Sequence, residues 1–452
     1  MAPPNVILIV AHDLGDCLSC YGAPVRTPNL QRFADEGTVL ENHFSTGSVC
    51  SPSRGALMTG RYPHANGLMG LAHRGWALDV PKAPPFARVF GWLDYQTWLF
   101  GLQHEHWDTA ALGYRNVVTP EAGLHCDHVL PQFAEWLRKQ ARGAQPFFAS
   151  VAFEETHRIG MNPSHFKRDA YEPADPAQVQ VPAYLPDIPE VREDLAGFYG
   201  AVNLMDRMMG EVMDALEAAK IEKDTIVIFT TDHGASFMHS KGTLYDGGTK
   251  VACLLRWPGT LMAGQRFRAL TSHVDLMPTV FQLIGQRLPG RFLQGLHGSS
   301  FAPLLYGGST IERGCVFAEK NYTNYYDPAR MVRSIEFKYI RKGLRTCIFD
   351  FVIPEIEQCP SGFRRNRAMF EFYSARRCTE ELYDLRCDRA EMHNVADDPA
   401  YAEALADMRA VLDEHLEETD DPFRHLRNDL LMPEEAYERI RSQGSAKADR
   451  DR

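Results

Sequence analysis

The sequence predicts an α/β fold: a mostly parallel sheet sandwiched by helices, followed by a smaller α+β C-terminal subdomain. Four short, continuous apolar runs each end in a polar cluster, which is typical of strands in a parallel sheet covered on both faces. Alternation between such strands and helical patterns continues to about residue 310, and the pattern of apolar residues then changes to that of an antiparallel sheet with a helix. A chain of 452 residues can bury a core large enough to hold a rigid active site.

The four apolar runs are the predicted strands, and the polar residues that follow them are predicted to form a site. The runs cover residues 6–10, 97–100, 147–153 and 226–229. The polar clusters are His12 with Asp13, "GLQHEH" at 101–106, "EETH" at 154–157 and "TTDHG" at 230–234. Parallel sheets build their sites just beyond the carboxyl ends of the strands, so these clusters are expected to lie at one edge.

A core-facing helix is predicted between the third and fourth strands. Its apolar residues alternate at spacings of three and four: Leu195, Phe198, Val202, Met205, Met209, Val212 and Leu216. The methionines are interpreted as packing residues.

The C-terminal part is predicted to be a separate subdomain. Residues 333–342 alternate like an antiparallel strand, residues 380–399 indicate a strand, a turn and a helix start, and a helix is expected over about 400–418. The predicted organisation is a catalytic domain over 1–310, the subdomain over 311–430 and a tail over 431–452 that is flexible at its end.

Composition argues against some partners. The chain has 48 basic and 59 acidic residues, a net charge of −11, and no long basic run, which argues against nucleic acid. The first apolar run is too short for a membrane span or a signal-peptide core, so no membrane partner and a cytoplasmic location are expected. The ten cysteines are scattered and do not show the spacing of a small disulfide-rich domain, which favours reduced thiols.

The stretch "GSVCSPSRGALMTG" at 47–60 supplies a candidate nucleophile, Cys50. Pro52 suits the first turn of a helix because its missing N–H would be unpaired there in any case. Cys50 would then face the positive end of the helix, and Arg54, one turn along, could reach the same point. The alternative interpretation is a buried cysteine with a packing role.

Asp13 and Asp232, with His12 and His233 beside them, could bring two carboxylates and two imidazoles to one point. An isolated Asp-His pair in a loop is more often a cap or a turn. The shared position of these pairs after buried strands is what favours a metal site.

"CSPSRGALMTG" resembles the signature of the type I, formylglycine-dependent sulfatases of the alkaline phosphatase superfamily. Other segments resemble that family in the same order: "NVILIVAHDLG", "RTPNLQRFADEG", "VIFTTDHG", "KGTLYDGGTKV", "LLRWPG" and "ELYDLRCDRAEMHNVA". The resemblance runs from about residue 5 to 400 and implies an alkaline-phosphatase-like sheet. Two further segments, 60–76 and 146–158, are most similar to the N-sulfoglucosamine sulfohydrolase (heparan N-sulfatase, sulfamidase) branch.

The resemblance implies a set of site residues and a chemistry. Cys50 would be oxidised to formylglycine by a formylglycine-generating enzyme, and one hydroxyl of its hydrate would attack sulfur. The implied metal ligands are Asp13, Asp232, His233 and the modified Cys50. The implied catalytic residues are Cys50, Arg54 and Lys241 for the sulfuryl group, His157 to protonate the leaving atom, and His104 to help expel sulfate.

The sequence departs from the family pattern at two positions. His12 stands where the family has an aspartate, so either His12 is a ligand or that place is filled differently. With two imidazoles the expected metal shifts from Ca²⁺, which the resemblance implies, toward Mn²⁺ or Zn²⁺. Leu102 stands where the family has a lysine, so one cation is missing unless His106 or another group replaces it.

Three functions are compatible with these residues. The leading one is a sulfatase acting on a sulfate ester or sulfamate, with a small sulfated saccharide as the substrate. The others are a phosphodiester or phosphonate monoester hydrolase, which needs less positive charge, and an inactive anion-binding relative. Candidates for the pocket rim, or for ordinary packing, are Tyr322, Tyr325, Tyr326, Arg330 and Arg333. The resemblance also implies a homodimer or a higher oligomer.

Overall fold

The computed structural model describes residues 3–140, 145–160, 163–286, 290–293, 295–308, 313–323, 326–343, 359, 378–422 and 424. The predicted boundary at 310/311, the tail over 431–452 and Tyr325 lie outside these residues, so the division into domains stays a prediction. The described cysteines are all free thiols. Within the described ranges, no helix has both the length and the apolar character needed to cross a bilayer.

A large sheet forms the centre of the molecule, and the described residues contribute eight strands to it. The strands are β1 (Asn5–Ala11), β2 (Thr38–Phe44), β3 (Gln96–Gly101), β4 (Asn116–Val118), β5 (Phe147–Ala152), β6 (Thr225–Thr231), β7 (Cys253–Arg256) and β8 (Gln265–Ser272). Their order is β4-β3-β5-β1-β6-β7-β2-β8. β7 is antiparallel to both of its neighbours, and the other described pairings are parallel.

The four predicted strands are therefore β3, β5, β1 and β6, which lie side by side in the sheet. Their apolar side chains alternate between two cores. Ile7 and Ile9 pack into the core on one face, and Val6, Leu8 and Val10 pack into the core on the other. Burial on both faces explains why these strands are apolar without interruption.

Helices cover both faces of the sheet. The α-helices of the described residues, including α11 of the C-terminal part, are α1 (Pro28–Asp35), α2 (Cys50–Thr59), α3 (Pro63–Asn66), α4 (Phe86–Trp92), α5 (Cys126–Arg138), α6 (Pro189–Ala219), α7 (Asp246–Thr249), α8 (His273–Leu283), α9 (Gly290–Leu293), α10 (Ala302–Leu305) and α11 (Ala402–Glu418). Side chains of α1, α5 and α6 fill one core, and those of α2, α4 and α8 fill the other. The predicted core-facing helix is α6, in which Met205 and Met209 are fully buried.

A smaller antiparallel sheet follows. Its described strands are β9 (Val316–Tyr322), β10 (Tyr326–Arg333), β11 (Phe337–Lys342) and β12 (Glu380–Asp384), in the order β12-β11-β10-β9. α11 packs on this sheet through Leu405, Met408, Leu412 and Leu416. The predicted fold class is confirmed.

The single strand predicted over 333–342 is wrong in one respect. Arg333 ends β10, and β11 begins only at Phe337. Between them the chain turns, because the Ser334 hydroxyl accepts the N–H of Phe337 at 2.9 Å and the Ser334 N–H donates to the Phe337 carbonyl at 2.9 Å. Alternating residues do not reveal such a tight turn when a serine replaces the usual glycine or proline.

Candidate active site

The candidate site lies at the carboxyl ends of β1 and β6. His12 and Asp13 follow β1, Asp232 and His233 follow β6, and Cys50 begins α2. The strands pair up to Ala11 and Thr231, so the two polar pairs emerge side by side. All five side chains are buried, and one donor atom from each lies within 4.8 Å of the others.

Nε2 of His12 is central to this group. It lies 3.0 Å from Sγ of Cys50, 3.3 Å from Oδ2 of Asp232 and 3.5 Å from Oδ1 of Asp13. Nε2 of His233 lies 3.2 Å from Oδ1 of Asp13 and 3.4 Å from Sγ of Cys50. Burial lowers the pKa of both imidazoles, and the cations around His12 add to the effect there, so both rings are neutral near pH 7.

Backbone geometry holds the two aspartates in place. Asp13 has a left-handed φ of 54°, which a short polar side chain tolerates better than most residues do. Its N–H donates to Oδ1 of Asp232 at 2.9 Å, and the hydroxyl of Thr156 donates to its carbonyl at 2.9 Å. After β6, Gly234 lies against Gly247 so closely that a Cβ would fall 1.7 Å from the Gly247 carbonyl oxygen. The ends of β1 and β6 are therefore fixed to each other and to the following loop.

α2 brings Cys50 to these residues, as the sequence predicts. The helix starts at Cys50, contains Pro52 in its first turn and ends at Gly60, whose φ of 65° is left-handed. The Ser53 hydroxyl donates to the carbonyl of Asp232, which ties the first turn of the helix to β6. Burial raises the pKa of the Cys50 thiol, so an unmodified Cys50 is neutral and a poor nucleophile.

Arg54 is fully buried, and only part of its guanidinium is engaged. Nε donates to Oδ2 of Asp232 at 2.9 Å, whereas Nη1 and Nη2 have no hydrogen-bond acceptor among the described residues. Burial alone would lower the pKa of Arg54, but the carboxylates of Asp232 and Glu105 raise it. A buried cation with two unused donors is suited to an anionic ligand.

Lys241 joins the metal candidates to His157. Its Nζ lies 2.6 Å from Oδ2 of Asp13 and 3.0 Å from Nε2 of His157. Nδ1 of His157 lies 2.7 Å from the carbonyl oxygen of Arg158 and can only donate to it. In the neutral ring Nε2 is then an acceptor for the Lys241 ammonium, and the pair shares a proton next to the site.

His104 completes the predicted catalytic set. Its ring centroid lies 5.2 Å from that of His12. Burial and the charge of Arg54 lower the pKa of His104 to about 3. The ring is therefore neutral near pH 7, and its unprotonated nitrogen can accept a hydrogen bond.

Glu105 is a site residue that the sequence interpretation missed. It is 2% exposed; Oε2 accepts the N–H of His104 at 2.9 Å, and Oε1 has no partner among the described residues. Burial raises the pKa of Glu105, and Arg54 opposes that shift. Its place in the polar cluster after β3 is the available sequence signal, but the family resemblance implies no role for this position.

Leu102, at the place of the family lysine, and His106 both have contacts of their own. Leu102 is 8% exposed and packs in the apolar core. Nδ1 of His106 accepts the N–H of Asp108 at 2.9 Å, which engages that ring in its own loop. Of the described cations, Arg54 and Lys241 are the two whose contacts place them at the group.

The residues predicted for the pocket rim or for packing make contacts of their own. The Tyr322 ring contacts the rings of Trp76 and Tyr326 in tilted arrangements, at centroid distances of 4.8 and 5.0 Å, which links the small sheet to the loop after α3. Arg330 is buried and forms a bidentate pair with Asp421, so its assignment to the rim is wrong and the packing alternative holds. Its charge needs a carboxylate partner once it is taken out of water.

The donor set fits a divalent cation. Two carboxylates and two imidazoles converge on the position of Cys50, and Oδ1 of Asp13 is buried without a donor from any described residue. An unpaired buried carboxylate oxygen is costly, and a cation would satisfy it. The residues that would hold the ion are His12, Asp13, Asp232 and His233, together with the side chain at position 50.

The family model and the similar proteins of known sequence agree on one family. The sulfatase family model matches residues 4–286. The human N-sulphoglucosamine sulphohydrolase is 29% identical over 471 residues, which cover 93% of this chain and 91% of that protein. An ulvan-active sulfatase of Formosa agariphila is 26% identical over 460 residues, 91% of this chain and 74% of that protein. A solved phosphonate monoester hydrolase of Agrobacterium radiobacter shares the fold, with a TM-score of 0.68, 21% identity and coverage of 92% and 96%.

Proposed function

Because the chain belongs to the sulfatase family, we propose that it hydrolyses a sulfate ester or sulfamate on a small saccharide, using a formylglycine made from Cys50 and one divalent metal ion. The observation that carries the proposal is the buried group of Cys50, two carboxylates and two imidazoles, flanked by Arg54 and Lys241. A saccharide is favoured because a relative that matches most of the chain is named for N-sulphoglucosamine.

A divalent metal, when bound, supplies Lewis acidity that makes a coordinated hydroxyl acidic and draws charge from a sulfuryl oxygen. The family resemblance favours Ca²⁺. The two imidazoles favour Mn²⁺ or Zn²⁺, since nitrogen ligands suit these softer ions. The neutral state of His12 and His233 near pH 7 leaves their nitrogen lone pairs available to an ion.

A hydrated formylglycine at position 50 would supply one hydroxyl whose oxygen bonds to sulfur as the bond from sulfur to the leaving oxygen or nitrogen breaks. Loss of the proton from its second hydroxyl would re-form the aldehyde as the C–O bond to sulfate breaks, and a water would then rehydrate the aldehyde. This explains why a cysteine rather than a serine begins α2, since a serine would leave an ester that water has to cleave. A formylglycine-generating enzyme is therefore a required partner. The high pKa of the buried thiol makes direct attack by an unmodified Cys50 unfavourable.

The surrounding side chains bind the sulfuryl group and take part in proton transfer. Arg54 is fixed through Nε by Asp232, so its two terminal nitrogens can hold sulfuryl oxygens as negative charge develops on them. The proton between Lys241 and His157 can be transferred to the leaving oxygen or nitrogen. His104, neutral because of its low pKa, can accept a hydrogen bond from a hydroxyl of the side chain at position 50.

A second function has a specific observation in its favour. Leu102 removes one cation from the family pattern and packs in the apolar core. A site with fewer cations suits a singly charged phosphodiester or phosphonate monoester. The fold is also shared with the phosphonate monoester hydrolase of Agrobacterium radiobacter.

Parallel hydrolysis assays separate these functions. The protein, co-expressed with a formylglycine-generating enzyme, is assayed with an aryl sulfate, N-sulfoglucosamine and an aryl phosphodiester. We expect the highest kcat/KM on one of the two sulfated compounds, and metal analysis identifies the ion. A higher kcat/KM on the phosphodiester would favour the second function, and no turnover of all three would favour an inactive relative.

A further inference from the structure

A polar cavity of about 640 Å³ lies apart from the group around Cys50. None of the predicted catalytic residues or metal ligands lines it. We call it the basic cavity, after five cationic residues in its lining: Lys250, Arg266, Arg268, Arg333 and Arg389. The large sheet supplies some of its walls through β2 and β8, and the residues after β10 and β12 supply others.

Part of this positive charge is neutralised inside the lining. Lys250 lies 3.0 Å from Asp16. Arg333 pairs with Asp246 at 3.2 Å, and Asp246 also pairs with the buried Lys338, which in turn contacts Glu391. In these pairs the positive and negative charges cancel. The pairs therefore hold the walls of the cavity in place and do not attract a charged ligand.

The remaining charge is not balanced. Arg266 and Arg268 share one carboxylate, Glu41, at 2.7 and 3.1 Å. Arg389 is exposed and forms no ion pair within the described part of the chain. One positive charge therefore remains on β8 and another on the turn after β12, in a protein whose net charge is −11. Both face the same cavity, which would concentrate an anion there.

The shape of the two arginine sites indicates the class of ligand. Glu41 holds Arg268 by Nε, and the Arg268 side chain is 88% exposed, so its outer edge is open to solvent. Guanidinium groups bind planar pairs of oxygens on sulfate or carboxylate. Ile335, 56% exposed, adds an apolar patch to the lining against which a sugar face can pack. A cavity of this volume accommodates a small ligand or a short segment of a longer one.

We propose that the basic cavity is a second binding site for a sulfated oligosaccharide. The cavity holds sugar units of the oligosaccharide that are distant from the sulfate group that reacts near Cys50. The preference for a polyanion rests on the charge of the cavity alone, and the choice of a saccharide rests on the proposed function.

The test measures binding and turnover in variants of the full chain. R268E/R389E reverses the two unbalanced charges. R138E/K167E is the matched control, since Arg138 and Lys167 are exposed and lie outside the cavity. Titration calorimetry uses a sulfated glucosamine–uronate octasaccharide and its desulfated counterpart. We expect R268E/R389E to bind the sulfated octasaccharide at least about tenfold more weakly, and the control to stay within about twofold of the wild type.

Turnover separates this proposal from the function of the main site. We expect R268E/R389E to hydrolyse a small aryl sulfate at the wild-type rate and to show a raised KM for the sulfated octasaccharide. Equal binding by both double variants, or equal binding of the desulfated octasaccharide by the wild type, would overturn the second site. An RNA octanucleotide that binds the cavity more tightly than the saccharide would also overturn it. An inactive wild type that still shows the R268E/R389E difference would overturn only the proposed function.

Discussion

At the scale of single residues, the site combines what the motifs predict with what only packing reveals. His12, Asp13, Asp232 and His233 are predictable because they follow buried strands whose carboxyl ends must meet. Their convergence on Cys50 confirms that the strands place them together, while their roles as ligands stay a prediction. Glu105 is different, since its burial next to Arg54 depends on how the loop after β3 folds.

Arg54→Lys tests the guanidinium of the buried arginine. A lysine keeps the charge but loses the fork that Asp232 orients, so the two terminal donors are no longer presented together. We expect kcat for the best sulfated substrate to fall by about 100-fold. Arg88→Lys is the control, because among the described residues the exposed Arg88 donates to the carbonyl of Ala111 alone. A kcat for Arg54→Lys close to that of the control would contradict the assigned role.

Two variants of Glu105 separate the effect of its charge from the effect of its hydrogen bond. Glu105→Gln keeps an oxygen that can accept the N–H of His104 but removes a negative charge beside Arg54. Glu105→Leu removes both. We expect kcat to fall by about threefold to tenfold in the first variant, because a hydrogen bond to a neutral amide is weaker than one to a carboxylate. We expect a further fall in the second, because complete loss of a hydrogen bond costs about 1 kcal/mol. If Glu105→Leu had the wild-type kcat, the carboxylate would have no part in positioning His104 or Arg54.

At the scale of elements, the long helix α6 supports the loop that carries His157. Arg158, the next residue, is buried and forms a bidentate pair with Asp194 of α6 at 2.8 and 2.7 Å. Its Nε also donates to the carbonyl of Ser236, after β6, at 2.8 Å. One arginine thus ties the end of β5 to α6 and to the loop after β6.

Asp194→Asn is expected to weaken this connection. It leaves the buried Arg158 without a full counter-charge, which costs about 3 kcal/mol of unfolding free energy and displaces the adjacent His157. Urea unfolding measures the first effect and kcat the second. Asp214→Asn, on the same helix, is the control, because Asp214 is 65% exposed and its pair with Arg32 should contribute less than about 1 kcal/mol. Equal stability of the two variants would refute the supporting role of Arg158.

The elements themselves were largely predictable, and the exceptions have physical causes. Strands β1, β3, β5 and β6 are continuous apolar runs because both sheet faces are covered. The turn between β10 and β11 was missed because Ser334 makes it with side-chain hydrogen bonds that have no strong sequence signal. The pairing of Arg158 with Asp194 joins residues far apart in the chain, and hydrophobic periodicity carries no information about such pairs.

At the scale of the whole molecule, a buried polar network joins α3, next to the helix of Cys50, to the small sheet. Nδ1 of His64 lies 2.5 Å from Oε2 of Glu319 on β9, and its Nε2 lies 3.2 Å from the carbonyl oxygen of Thr419. Asp421, which pairs with Arg330 on β10, lies 3.6 Å from the same imidazole. The N–H of Glu319 donates to the carbonyl of Thr46, four residues before Cys50. The small sheet thus contacts the segment that leads into the site.

This network predicts a pH dependence of stability. Burial alone would lower the pKa of His64, but Glu319 and Asp421 raise it above its ordinary value. A raised folded pKa stabilises the fold below the ordinary pKa of about 6.5, and this contribution is lost as pH rises through the folded pKa. We expect the Tm of the wild type to fall from pH 6 to 9 more steeply than that of His64→Gln. His393→Gln, at a residue 84% exposed, should keep the wild-type slope, and identical slopes in all three proteins would contradict the prediction.

The central claim is that Cys50 becomes a formylglycine that performs the hydrolysis. The most direct measurement is the mass of the tryptic peptide that ends at Arg54, together with sulfatase activity, in samples with different degrees of co-expression of a formylglycine-generating enzyme. We predict the mass of an aldehyde in place of the thiol, and an activity that rises in proportion to the aldehyde fraction and is absent in Cys50→Ala. A fully thiol peptide with full activity, or an activity independent of the aldehyde fraction, would contradict the account.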